Sequence, residues 1–161
     1  MILRCTGKVL ALLRVPATSL PVVEPAPGDW YVNLVRVGGR KCLLVTHAGT
    51  LFSVFVPDVR VADLRPPGPL LTSRIRAALR AESLPEDALG DLDADEVTVT
   101  KTAGRQVLGV MNDHLMLVEH VLADRGGLTE RGVDGVHHAL HRTINSTTGY
   151  VPPVELVAGT G

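Results

Sequence analysis

The residues best suited to chemistry gather toward the C-terminus. Asp134, His138, His141 and Asn145 are spaced four, three and four apart, so on a helix all four share one face, with His137 beside them. Two neutral imidazoles one turn apart, joined by a carboxylate, form part of a site for zinc or another transition metal. Asp134, His138 and His141 are the candidate ligands; no cysteine or second carboxylate lies near in sequence, so a further ligand would come from elsewhere in the fold. The same spacing also describes the polar outer face of an amphipathic helix. No other cofactor is implied.

A second group centres on Met111-Asn112-Asp113-His114. Helical spacing turns His114 toward the apolar side, between Met111 and Val118, the place of a hydrogen-bonded core histidine. Asn112 and Asp113 turn away from it. A polar pocket between a sheet and this helix would draw on Trp30, Asn33, Lys41, Ser53, Asn112 and Asp113 as ligand-binding residues. A nucleophile is not evident: Ser53 and Cys42 fall within strands, and there is no Gly-x-Ser-x-Gly elbow. Gly38-Gly39-Arg40-Lys41 lacks the strand–loop–helix context of a phosphate loop. Asp91, Asp93, Asp95 and Glu96 resemble the start of a calcium loop, but Glu96 and Thr102 occupy the positions that need Gly and a bidentate Glu. With no complete catalytic constellation, the sequence leans away from an enzyme.

Arginine supplies all of the 16 basic residues except Lys8, Lys41 and Lys101. Arg36 and Arg40 sit at one turn and Arg74, Arg76 and Arg80 along one helix, two local patches that would suit nucleic acid. Rings for base stacking are scarce, with only Trp30 and Tyr31 near a basic group. Ordinary surface arginines in an Arg-rich composition account for the same pattern.

These residues need elements to position them. Ile2 to Cys5 reads as a strand and Gly7 to Arg14 as a helix behind Thr6. Pro16, Pro21, Pro25 and Pro27 then impose an extended connection. Trp30 to Val37, Lys41 to Thr46 and Thr50 to Val56 read as three strands on short turns, Gly38-Gly39 suiting a hairpin. Leu43, Leu44 and Val45 run together, so the middle strand should be covered on both faces. Leu70 to Glu82 has helical spacing, Ser83 and Glu86 resemble a capping box for a short helix, and Val97 to Lys101 alternates as a strand. Helices are expected from Arg105 to Arg125 and from Glu130 to Asn145, with an irregular tail from about Ser146. The expected class is α+β: an antiparallel sheet built on a three-stranded meander and covered by helices.

Composition bounds the rest. With 161 residues, net charge -1, 45% hydrophobic residues and mean hydropathy +0.22, one domain over residues 1–161 is expected and a disordered chain is excluded. A charge so balanced excludes a protein whose whole surface neutralises phosphates. No segment reads as a targeting signal or a membrane span, and Cys5 and Cys42 fall in apolar strands, where they read as reduced core thiols; a cytoplasmic protein is expected.

Several phrases occur in a consistent order: Met1-Ile2-Leu3-Arg4-Cys5-Thr6, Asp29-Trp30-Tyr31, Asn33-Leu34, Arg40-Lys41-Cys42-Leu43-Leu44, Thr50-Leu51-Phe52-Ser53-Val54-Phe55, and Leu108-Gly109 before Met111-Asn112-Asp113. Together they resemble a bacterial domain family without an assigned function, found free-standing or beside plasmid- and transposon-borne passenger proteins. The resemblance implies a loose link to mobile elements and carries no catalytic residues. The leading expectation is an interaction or regulatory module that binds a protein or nucleic-acid partner. The alternatives are a small enzyme or ligand-binding domain using the pocket above, and a metal-binding protein using the last-helix histidines.

Overall fold

The computed structural model describes residues 1–160. Five strands, β1 (Ile2–Cys5), β2 (Trp30–Val37), β3 (Arg40–His47), β4 (Ser53–Val56) and β5 (Thr98–Lys101), form one sheet in the order β4-β3-β2-β1-β5. The meander β2–β3–β4 is antiparallel, as its short turns require. Gly38 and Gly39 both adopt left-handed φ (56° and 77°), the requirement of a two-residue turn that twists with its strands.

The sheet as a whole is mixed, which corrects the antiparallel expectation. β1 runs parallel to β2 on one side and to β5 on the other. Parallel neighbours need a long crossover, and both connections supply one. The first holds helix α1 (Gly7–Leu13) and the proline-rich stretch; the second holds the meander and helix α2 (Gly68–Ala81).

Helices cover both faces. α1, α2 and α5 (Pro153–Ala158) pack through Val9, Leu10, Ile75, Leu79 and Val157 against Leu3, Val32, Leu43, Val45 and Val54. α3 (Gln106–Asp124) and α4 (Glu130–Arg142) pack through Met111, Val118, Leu122, Val136 and Leu140 against Tyr31, Cys42, Leu44 and Phe55. The unbroken run Leu43-Leu44-Val45 is thus explained: alternate residues feed opposite cores, and all three are fully buried. Each such side chain contributes roughly 1.5–3 kcal/mol of hydrophobic stabilisation. α4 approaches the end of α3 closely; a Cβ at Gly132 would lie 2.0 Å from the Gly127 carbonyl oxygen.

Several expected boundaries differ. β4 begins at Ser53, because Leu51 turns left-handed (φ 59°) in the preceding loop. Ser83 starts no helix; its left-handed φ of 58° ends α2, and residues 86–89 form only turns. α4 stops at Arg142 as Thr143 extends, so Asn145 leaves the helical face and instead accepts from Thr147 N–H at 2.9 Å. Ile144, which continues the apolar spacing of Val133, Val136 and Leu140, is consequently exposed. The tail is not irregular throughout, since α5 buries Val157 in the core. No described helix is long and apolar enough to cross a membrane.

Candidate functional site

β4 is an outer strand, with backbone partners in β3 on one side only. An edge of that kind offers unpaired N–H and C=O groups to any passing chain unless something covers it. α4 covers it with histidines. Phe55 N–H donates to His137 Nε2 at 3.0 Å, and His141 Nε2 donates to the Ser53 carbonyl at 2.9 Å. The match is geometric: four helical residues rise about 6 Å and two strand residues about 6.6 Å. The two imidazoles stack at 5.7 Å, and His141 lies flat on Phe52 at 4.0 Å.

The far side of His141 is held as well. Its Nδ1 meets Glu82 Oε1 at 2.8 Å, while Arg142 donates to both Glu82 oxygens at 2.9 and 2.7 Å. The Arg142 bonds, aided by His141 and opposed by burial, bring the Glu82 carboxyl down to about 2. Burial lowers His141, against the upward pull of Glu82 and the Ser53 carbonyl. Burial likewise lowers His137 to about 4, which suits its role as the neutral acceptor for Phe55.

Beneath this cap, Ser53 Oγ donates to the Leu51 carbonyl at 3.0 Å. That leaves Thr46 Oγ1 at 2.8 Å and His114 Nδ1 at 3.0 Å as donors to it. His114 Nε2 is buried without a protein partner, and burial lowers this histidine to about 4. Ser53 and His114 have the types of a nucleophile and its base. Ser53 is fully buried, however, so no substrate can meet it. The pair braces β4 against α3.

The six candidate ligand residues do not meet in one pocket. Trp30 is buried on the face that packs α1 and α2, with its ring 5.0 Å from that of His47. Asn33 accepts from Thr6 Oγ1 at 3.1 Å. Lys41 pairs with Arg36 across the hairpin, and Ser53 lies beneath α3. Asn112 and Asp113 face solvent on the outside of that same helix. Of the candidate metal ligands, Asp134 and His138 are exposed and His141 is buried with both ring nitrogens engaged. Among the described residues no three His, Cys, Asp or Glu side chains gather in a metal-holding group.

The arginine patches are partly neutralised. Arg76 and Arg80 share Glu86 at 3.9 and 2.7 Å, and Arg40 reaches Asp58 at 3.4 Å. Arg36 and Arg74 make no ion pair among the described residues. Neither Trp30 nor Tyr31 stacks beside them, since both are buried.

A second stretch of sheet edge is left open. β1 ends opposite Val32, whose carbonyl accepts from Thr6 N–H, and the chain then turns away into α1. β2 continues to Val37 with β3 alone beside it. Alternate residues turn their backbone groups to the same side, so those of Leu34 and Arg36 follow Val32 into this open lane. They meet no other backbone group among the described residues. A groove of about 360 Å³ lies along the lane, lined by Lys8, Leu34, Val35, Arg36, Val37, Leu115, Val118 and Glu119. It continues into a cleft of about 710 Å³ between the hairpin and the end of α3, which Arg40, Leu122 and Leu128 help to close. The floor is apolar, and the rim is basic apart from Glu119.

One buried group had no signal in the sequence. Arg4 donates through Nε to Asp29 Oδ2 and through Nη2 to the Val23 carbonyl, both charged side chains being buried. Asp29 Oδ2 also accepts from Ala26 N–H at 3.0 Å. The pair pins the proline-rich stretch to β1. Arg4 stood in an apolar strand, and only a search for a carboxylate able to neutralise it there would have pointed to Asp29.

A family model described as a domain of unknown function, DUF6933, matches residues 2–156. No curated protein matches the chain.

Proposed function

The chain belongs to the DUF6933 family, and from the geometry we propose that it is a non-enzymatic binding module whose working surface is the groove between the β2–β3 hairpin and α3. The observation that carries this reading is the coincidence of an apolar floor, a basic rim and an uncovered strand edge in one groove. Native proteins ordinarily cover or blunt such an edge, as this one does at β4. Concave apolar surfaces with a few polar groups at their margin are where partners bind.

Other features point the same way. The Ser53–His114 pair is sealed from solvent, and burial raises the Cys5 thiol to about 12 and raises Cys42 as well. Neither is an activated nucleophile. Nucleic acid is the weaker partner class: three of the five candidate arginines already hold carboxylates, and Trp30 and Tyr31, the rings weighed as base platforms, are both buried. Two unpaired, buried thiols accord with a cytoplasmic setting.

The test is a selection of displayed random peptides on the intact chain, followed by titration of the recovered peptides against Lys8→Glu and Arg36→Glu. Both side chains are exposed, so the variants should keep the parent melting temperature while affinity falls about tenfold. The proposal fails if no peptide is recovered, if recovered peptides ignore both substitutions, or if a mixed-sequence single-stranded oligonucleotide binds at this rim instead.

A further inference from the structure

We infer that the groove takes its partner as an added β-strand, an extended segment alternating apolar and acidic residues that pairs with β2 at Leu34 and Arg36. This inference rests on the proposed groove and specifies how it is filled.

The backbone argument comes first. A strand adds to a sheet where N–H and C=O groups of one strand face an empty lane. Here the lane is already drawn: it is the continuation of β1 past Cys5, left vacant because Thr6 ends the β1–β2 ladder at Val32. The outward groups of Leu34 and Arg36 are two residues apart, the repeat that an incoming strand presents. At β4 the equivalent groups of Ser53 and Phe55 are occupied by His141 and His137. That edge is closed to addition; this one is open.

Side chains then decide which strand. Residues of an added strand alternate between the two faces of the sheet. On one face Val35 and Val37 belong to the core beneath α3, and Leu115 and Val118 wall the groove, so alternate residues of the incomer meet apolar surface. On the other face Leu34 packs toward the α1 side, with Arg36 following it along the strand and Lys8 on α1 beside it. Neither cation has an ion-pair partner among the described residues, so the intervening residues of the incomer meet unneutralised positive charge. A carboxylate in that row would satisfy both. A second copy of this chain does not fit as well, since pairing β2 with itself would bring Lys8 and Arg36 against their own counterparts.

The experiment uses a synthetic peptide of about six residues alternating valine and glutamate, with single backbone N-methyl groups placed at each position in turn. N-methylation removes one donor without changing charge. Affinity should fall about tenfold at every second position and little between them. Amide exchange should slow at Leu34 and Arg36 and stay unchanged at Phe55, already bonded to His137. An all-lysine replacement of the glutamates should abolish binding. If peptides bind in a way that Arg36→Glu weakens, but methylation shows no alternation and Leu34 exchanges as before, strand addition is wrong while the groove reading stands. If no peptide binds, or the chain dimerises through this edge without peptide, both fail.

Discussion

Two edges of one sheet are treated in opposite ways. Along β4, α4 sets His137 and His141 against the backbone of Phe55 and Ser53, with Glu82 and Arg142 behind them. Along the outer half of β2, the outward backbone groups of Leu34 and Arg36 face a groove and meet no other backbone group among the described residues. The first edge lies in a dry, hydrogen-bonded environment in which burial pulls His137 toward the neutral form, while Glu82 and the Ser53 carbonyl oppose that pull at His141. The second has exposed cations and apolar walls. The contrast teaches that polar residue type alone does not mark the working surface. The histidines that looked most like chemistry serve the sheet, and an unremarkable hairpin carries the open site.

Acid should break the capped edge first, and with the largest effect. Burial lowers His47, His114 and His137 to about 4 each, whereas an unfolded histidine titrates near 6.5. Below about 6.5 the unfolded chain therefore binds protons that the folded chain refuses. Stability is complete above that value and is lost as pH falls toward 4. Thermal melts should decline steeply between pH 6.5 and 4, before most carboxylates titrate, and His137→Gln should flatten the slope. A melting temperature constant from 6.5 to 5 would contradict neutral burial.

Removing His141 attacks the same edge at neutral pH. His141→Ala leaves the Ser53 carbonyl unpaired, strips a bond from Glu82 and empties the space beside Phe52. The loss should be about 3 kcal/mol in denaturant titration. A cost under about 1 kcal/mol would mean that the cap contributes little.

Glu82→Gln is gentler. It keeps the shape but removes the charge that Arg142 grips, and should cost about 1–2 kcal/mol. Because the Glu82 carboxyl is lowered to about 2, the part of stability that this variant lacks is the part the parent loses between about pH 4.5 and 2. The two proteins should converge in that window. At the open edge, by comparison, Arg36→Glu should change stability by no more than about 0.5 kcal/mol while weakening peptide binding. A large stability loss there would show that Arg36 supports the fold, and the contrast between the edges would collapse.

Much of the architecture was legible from spacing. The span of β1, the β2–β3 hairpin and the double burial of Leu43, Leu44 and Val45 follow from apolar periodicity and the glycine turn. Misreadings came where two local rules competed. Ser83 and Glu86 have the types of a capping box, but Ser83 ends α2 in a left-handed conformation and Glu86 answers Arg76 and Arg80. Asn145 continued the helical spacing, yet its side chain bonds its own backbone neighbour two residues on, a local alternative that asparagine favours over helix.

The site was less legible, for a physical reason. Asn33, Lys41, Asn112 and Asp113 are separated in space because facing direction depends on which strand neighbours which. Arg36 and Arg40 alone among the candidate residues line the open groove. Its other walls, Lys8, Leu115 and Val118, carry no chemical signature.

What the sequence determined by itself is local: the periods of strand and helix, the two-glycine turn, the proline-imposed extension and a core rich in small branched side chains. These depend on interactions within a few residues, which composition and spacing encode directly. Tertiary structure decided that β1 inserts parallel between β2 and β5, that α4 lies along the edge of β4, and that Arg4 finds Asp29. Each of those outcomes joins residues tens of positions apart. Their pairing is selected by which buried backbone and charged groups would otherwise go unsatisfied, a cost that exists only once the chain has closed on itself.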